Sequence, residues 1–171
     1  MIDRTGSRLV SISILWARIG SIDFDDLQYA HKPYKEWFAY GQSKLANLMF
    51  ILELARRLEG TQSKTVAASA HPGGSATNLQ RSSSFFMKRI LTPLIAHEPA
   101  KAALPALRAA CDPQAGNGSF WGPSGDFELT GSPEKATIPN QAKNIAVAKR
   151  LWEVSEALTG VHFLDIKAHE W

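Results

Sequence analysis

Glu36 to Glu59 reads EWFAYGQSKLANLMFILELARRLE, a run without proline that is rich in leucine and alanine and closed by Gly60. These features predict one long helix, with Gly60 in the left-handed position that ends many helices. Leu45, Leu48, Met49, Leu52 and Ala55 form one apolar face, while Phe50, Ile51, Leu54 and Leu58 nearly complete the circle. Such a helix must be covered on more than one side. Before it, after the turn signal Thr5-Gly6-Ser7, residues 8–15 (RLVSISIL) form a β-prone run suited to a strand covered on both faces. After it, residues 64–70 (KTVAASA) predict a second short strand that stops at His71-Pro72-Gly73-Gly74. Strand, helix and strand in that order predict a right-handed crossover unit of a parallel sheet.

The remaining segments extend this pattern. Residues 16–35, with Asp23, Asp25, Asp26 and the breaker Lys32-Pro33-Tyr34, read as a long solvated loop over the end of the first strand. Helices are expected within 84–95 and over 99–110, and a short strand near 119–121. A last helix is expected over 145–159, with Asn144 as its N-cap and Gly160 after its end. At 171 residues with no Pro/Gly/Ser-rich linker, the chain is expected to form a single α/β domain, 1–171.

Composition excludes several functions. The charge is 19 basic minus 16 acidic residues, or +3, and no basic run exceeds two residues. Residues 1–90 carry 12 Lys/Arg against 7 Asp/Glu, and 91–171 carry 7 against 9. Phosphate tracking needs converging cations, so no nucleic-acid partner is expected. The most apolar helical stretch, 45–55, contains Asn47 and Glu53 and falls short of the ~20 residues a membrane span needs. Arg4 and Arg8 before an apolar run imitate a signal peptide, but a β-branched buried strand explains that run better. Cys111 has no disulfide partner and reads as a buried, inert thiol in a reducing cytoplasm. His71, His97, His162 and His169 share no face with companion ligands, so no metal site is expected.

Tyr40-Gly41-Gln42-Ser43-Lys44 places a phenol and an ammonium one helical turn apart on one face. A nearby cation favours phenolate, so this spacing predicts a Tyr40 pKa lowered from about 10, suited to passing a proton to or from a carbonyl or alcohol oxygen. In open parallel sheets ligands bind outside the C-terminal strand ends. The first strand's end and the His71-Pro72-Gly73-Gly74 breaker, with Thr77 behind it, would share that edge.

In order along the chain stand Gly6-Ser7-Arg8-Leu9-Val10-Ser11-Ile12-Ser13, Ile22-Asp23-Phe24-Asp25-Asp26-Leu27, Tyr40-Gly41-Gln42-Ser43-Lys44-Leu45-Ala46-Asn47, His71-Pro72-Gly73 with Thr77-Asn78-Leu79, Trp121-Gly122-Pro123, and Leu151-Trp152-Glu153-Val154-Ser155. In this order and spacing the chain resembles the C-terminal two-thirds of a short-chain dehydrogenase/reductase, in the branch similar to retinol dehydrogenases and the WW-domain oxidoreductase. The resemblance implies a Rossmann-like parallel sheet with flanking helices, N-terminally truncated. It also implies an NAD(P)-dependent oxidoreductase that passes hydride between nicotinamide and a carbonyl or alcohol of a small apolar molecule.

By the same resemblance Tyr40 is the general acid/base, and Lys44 lowers its pKa and binds the nicotinamide ribose. Pro72, Gly73 and Thr77 lie along the nicotinamide side of NAD or NADP, and the backbone at Ile12 and Ser13 lines the same cofactor face. Two departures stand out. The position of the substrate-polarising serine holds Ile14, and Ser13 could replace it only through a bulge that re-aims its side chain. Losing that donor costs about 10²–10³ in rate. The glycine-rich dinucleotide segment has no counterpart here, since Gly116-Asn117-Gly118 is followed by Trp121 where a third glycine belongs. A sheet opened in this way exposes a strand edge that recruits partners. The alternative expectation is therefore a non-catalytic chain that pairs with itself or a full-length relative through the edge or helix 36–59.

Overall fold

In the computed structural model, residues 6–74 and 98–162 are described. Four strands form one mixed sheet in the order β1 (Arg8–Ile12), β2 (Val66–Ala70), β3 (Phe120–Pro123), β4 (Pro133–Lys135). The first three are parallel, with Arg8 opposite Val66, Ile12 opposite Ala70, and Ser69 opposite Phe120. The fourth is antiparallel to β3, pairing Trp121 with Lys135, so the sheet is not purely parallel as expected. A short return over residues 124–132 makes that antiparallel edge possible, whereas a parallel neighbour needs a crossover of a dozen residues or more.

Alternation along the strands splits the core into two layers. Ala67 and Phe120 face one side, against α1 (Glu36–Glu59). Ala68, Ala70 and Trp121 face the other, against Ala109 of a helix over 104–111. The helix α1 has the bounds that its sequence predicts. Leu45, Leu48, Met49 and Leu54 are buried, each worth about 1.5–3 kcal/mol of transfer free energy. Its second apolar face is covered by the last helix, where Phe50 stacks on Trp152 with ring centroids 4.7 Å apart. The Arg57 guanidinium lies 4.4 Å from the same indole ring and also bonds Glu53.

Several boundaries differ from those expected. The first strand spans Arg8–Ile12, with Ser13 still bonded to the Ala70 carbonyl and Ile14 still extended, and it cannot reach residue 15 because Leu15–Arg18 turns into a single 3₁₀ turn that buries Ala17. Gly60 has φ −75° and is not left-handed; Thr61 instead donates its N–H to the Leu58 carbonyl. The helix expected over 99–110 is two, α2 (Pro99–Ala102) and α3 (Leu104–Cys111). Pro105 explains the break, since it has no N–H to offer the carbonyl four residues back. The helix expected within 84–95 lies outside the described residues. Helix α4 (Ile145–Thr159) matches, with the Asn144 side chain accepting from the Val147 N–H and Gly160 at φ +66°. Cys111 is exposed rather than buried. The loop expected over 16–35 is organised by carboxylates: Asp26 accepts from Ala30, His31 and Lys32 N–H, and Asp23 pairs with the Lys32 ammonium at 2.7 Å.

Candidate active site

Helix α1 begins beside the C-terminal end of β1, and three contacts fix it there. Gly41 meets the 16–20 turn backbone to backbone: a Cβ on Gly20 would lie 2.5 Å from the Gly41 carbonyl oxygen. Gln42 is buried and holds the loop above, accepting from the Asp23 N–H at 3.0 Å and donating to the Leu27 carbonyl. The Ser13 hydroxyl donates to the Lys44 carbonyl at 2.9 Å. Tyr40 and Lys44 are thereby held at the C-terminal edge of the sheet.

Ser13 is fully buried, and its N–H continues the ladder to the Ala70 carbonyl at 2.9 Å. The strand runs regularly through Ser13, so its side chain faces α1 and its proton is spent on the helix. Ile12 projects to the opposite face and is 42% exposed, while its carbonyl receives a long bond of 3.4 Å from the Asn47 amide. Ile14 is half-buried.

The Tyr40 hydroxyl and the Lys44 ammonium have no hydrogen-bond partner among the described residues. Lys44 Nζ lies 5.6 Å from the centroid of the Tyr40 ring. Burial raises the Tyr40 phenol above its ordinary value, the reverse of the lowering that the spacing predicts. Burial alone sets this direction, and the Lys44 ammonium makes no hydrogen bond to the phenol oxygen. Around the start of the helix stand Trp16, Ile19, Tyr34 and Phe38, all exposed, with Trp16 packed on Trp37 at 5.1 Å between centroids.

Strand β2 delivers His71-Pro72-Gly73 to the same edge. His71 is 1% exposed, with Nε2 2.9 Å from Glu128 Oε2, and its Nδ1 accepts the Gly73 N–H at 3.2 Å. These bonds assign the Nε2–H tautomer. Glu128 also pairs with Arg18 at 2.7 Å and accepts from the Thr137 N–H. Burial pushes the Glu128 carboxyl up, but the Thr137 bonds and the Arg18 and His71 charges together hold it below its ordinary value. His71 is lowered, chiefly by burial and also by Arg18, against the opposing pull of Glu128. The sequence offers no signal for Glu128, which lies 57 positions from His71.

Gly73 has φ +72°, and a Cβ there would meet the Leu129 oxygen at 2.4 Å, Pro123 Cγ at 2.7 Å and the Glu128 oxygen at 2.9 Å. Its lack of a side chain is required by this packing. Thr77 lies outside the described residues.

The lowered His71 pKa links stability to pH. As pH falls below the unfolded value of 6.5, the unfolded chain takes up the proton first, so this contribution is complete above that value and lost through the folded pKa. We expect the urea midpoint to fall from pH 7.5 to pH 5.5, and His71→Asn to remove most of that difference; an unchanged slope in the variant would refute the assignment.

The chain is 34% identical to retinol dehydrogenase 14 of Mus musculus over 162 residues, covering 91% of this chain and 45% of that protein. It is 35% identical to retinol dehydrogenase 12 of Homo sapiens, covering 92% and 47%, and 36% identical to human retinol dehydrogenase 13, covering 94% and 48%. A solved structure of an uncharacterised protein from Mycobacterium paratuberculosis matches with a TM-score of 0.71 at 34% identity, over 92% of this chain and 52% of that one. No protein-family model matches. The chain spans about half the length of the curated relatives it matches, a smaller share than two-thirds. Among the described residues no helix is long and apolar enough to cross a membrane.

Proposed function

We propose, on the premise that this chain is a homologue of the retinol dehydrogenases within the short-chain dehydrogenases/reductases, that it carries the proton-transfer side of a nicotinamide-dependent oxidoreductase site. The observation that supports this reading is the Tyr40 phenol and Lys44 ammonium on one face of α1, at the sheet edge, without hydrogen-bond partners among the described residues. Two such groups suit a ligand that brings its own oxygen atoms.

NAD or NADP, when bound, would supply or accept the hydride. Tyr40 donates its phenolic proton to the carbonyl oxygen during reduction and takes it back during oxidation. Lys44, whose ammonium is free of hydrogen bonds among the described residues, would hold the ribose hydroxyls of the bound coenzyme. Pro72 and Gly73, together with the Ile12 and Ser13 backbone, would line the nicotinamide side. Ser13 positions α1 through the Lys44 carbonyl, which leaves Tyr40 as donor to the substrate oxygen. The substrate is an apolar alcohol or aldehyde, in keeping with the exposed Trp16, Ile19 and Phe38 beside the helix start.

One observation favours a second reading, a partner-binding chain. Helix α1 is already covered by α4, but Leu9 and Ile12 of β1 are 38% and 42% exposed, and among the described residues the outer edge of β1 has no neighbouring strand. Calorimetric melts with and without NADH or NADPH decide between the two. Binding to the folded state at about 100 times Kd raises stability by ~2.7 kcal/mol and the midpoint by several degrees. A midpoint indifferent to both coenzymes at millimolar concentration, but rising with protein concentration, would replace the catalytic reading with the second.

A further inference from the structure

The Pro72-Gly73 turn is held from three directions, and one side chain joins them. His71, at the end of β2, donates through Nε2 to Glu128 of the turn over 126–128. The same carboxylate reaches Arg18 in the turn after β1. The other ring nitrogen, Nδ1, accepts the Gly73 N–H. The next residue is tied to the same strap, since the Gly74 N–H donates to the Leu129 carbonyl at 2.7 Å. The ring cannot move aside, because Gly122 of β3 lies so close that a Cβ there would fall 2.0 Å from Nε2, and the Phe120 ring packs at 5.2 Å. Phe127 and Glu128 both adopt the left-handed region, at φ 54° and 58°, which a β-carbon disfavours. That strained pair presents the Glu128 carboxylate to His71 and leaves Phe127 82% exposed.

We propose that His71 is the positioning residue of the Pro72-Gly73 turn, and that its Nδ1 makes the shape of that turn, and with it nicotinamide-nucleotide affinity, depend on a proton. The ligand half of this statement rests on the function proposed above; the turn half does not. Neutral His71 offers Nδ1 as an acceptor to Gly73. Protonation places an N–H where the acceptor was, opposite another N–H, and the Gly73 bond is lost. Among the described residues the charged groups acting on the ring are Glu128, which favours the proton, and Arg18, which opposes it. Phe120 and Gly122 of β3 carry no charge.

The test uses the full 171-residue chain, labelled with ¹⁵N. At pH 7.5 the His71 ring nitrogens should show the Nε2–H tautomer. On titration through the His71 midpoint, the hydrogen-exchange protection factor of the Gly73 amide should fall about tenfold, the worth of one hydrogen bond. His71→Asn, whose carbonyl can stand in for Nδ1 but does not titrate, should keep Gly73 protected at every pH. His71→Gln, whose amide stands in for Nε2 alone, should leave Gly73 unprotected at every pH. Protection that ignores pH in the native chain, or survives in His71→Gln, overturns the proposal.

If either His71 variant fails to fold, Glu128→Gln decides: removing the charge that favours the proton should move the Gly73 transition to lower pH, and an unmoved transition overturns the proposal. NADH affinity, followed by its own fluorescence, should weaken about tenfold across the same transition and be flat in His71→Asn. A chain with the Gly73 transition that binds no nicotinamide nucleotide refutes the proposed function and leaves the turn assignment standing. One that binds NADH while Gly73 is indifferent to pH refutes the turn assignment alone.

Discussion

Tyr40→Phe is expected to lower the rate at which NADH or NADPH reduces an apolar aldehyde by about 10²–10⁴-fold, the usual contribution of a positioned general acid. The ring remains half-buried beside Lys44, so packing is preserved and only the proton is lost. Coenzyme affinity and melting temperature should therefore stay near those of the native chain. A variant that keeps its turnover would remove Tyr40 from the mechanism. A variant that loses turnover together with coenzyme binding would show that the phenol serves the fold or the ligand rather than the proton. Because burial raises the Tyr40 phenol, the group is protonated at neutral pH and would enter the proposed reduction as an acid. Oxidation of an alcohol needs the phenolate, so that direction should gain rate with rising pH.

Gly73→Ala is expected to be strongly destabilising. An alanine pays about 1–2 kcal/mol to hold φ +72°, and its Cβ would sit 2.4 Å from the Leu129 oxygen and 2.9 Å from the Glu128 oxygen. Both atoms are backbone, so relief requires the strap over 126–129 to move, with overpacking adding about 1–3 kcal/mol. A loss of about 3 kcal/mol corresponds to a midpoint lower by roughly ten degrees in a chain of this length. Gly116→Ala is the control, since its Cβ would meet nothing within 4 Å. Equal midpoints for the two variants would disprove the packing role of Gly73.

Helix α1 and helix α4 are legible in the sequence because their signals are local: a long proline-free run of helix formers in the first, and the cap pair Asn144 and Gly160 in the second. Strand β4 is not legible, because the three residues Pro133–Lys135 carry no alternation and owe their conformation to pairing with β3. Tyr40 and Lys44 stand out because their spacing is a property of one helix. The charge effect between them does not, because where an ammonium points along a helix depends on rotamers that spacing leaves open. Ser13 illustrates the same limit: its alternation along the strand is readable, but the Lys44 carbonyl that accepts its hydrogen bond comes from another element. Glu128 is the extreme case, an acidic residue in a turn whose partners, His71 and Arg18, are brought to it only by the completed sheet.

Trp16 and Trp37, 5.1 Å apart and tilted by 38°, have an optical consequence. Two indoles at such a separation share their excited states, and the sign and size of the resulting circular dichroism depend on the tilt. The pair joins the turn after β1 to the first turn of α1, one helical turn before Tyr40. A ligand seated against Tyr40 that disturbs that junction is expected to rotate one ring against the other, and a change in the coupled circular dichroism on ligand addition would report it. The chain thus carries its own chromophore for the state of the site, readable without label, coenzyme signal or turnover.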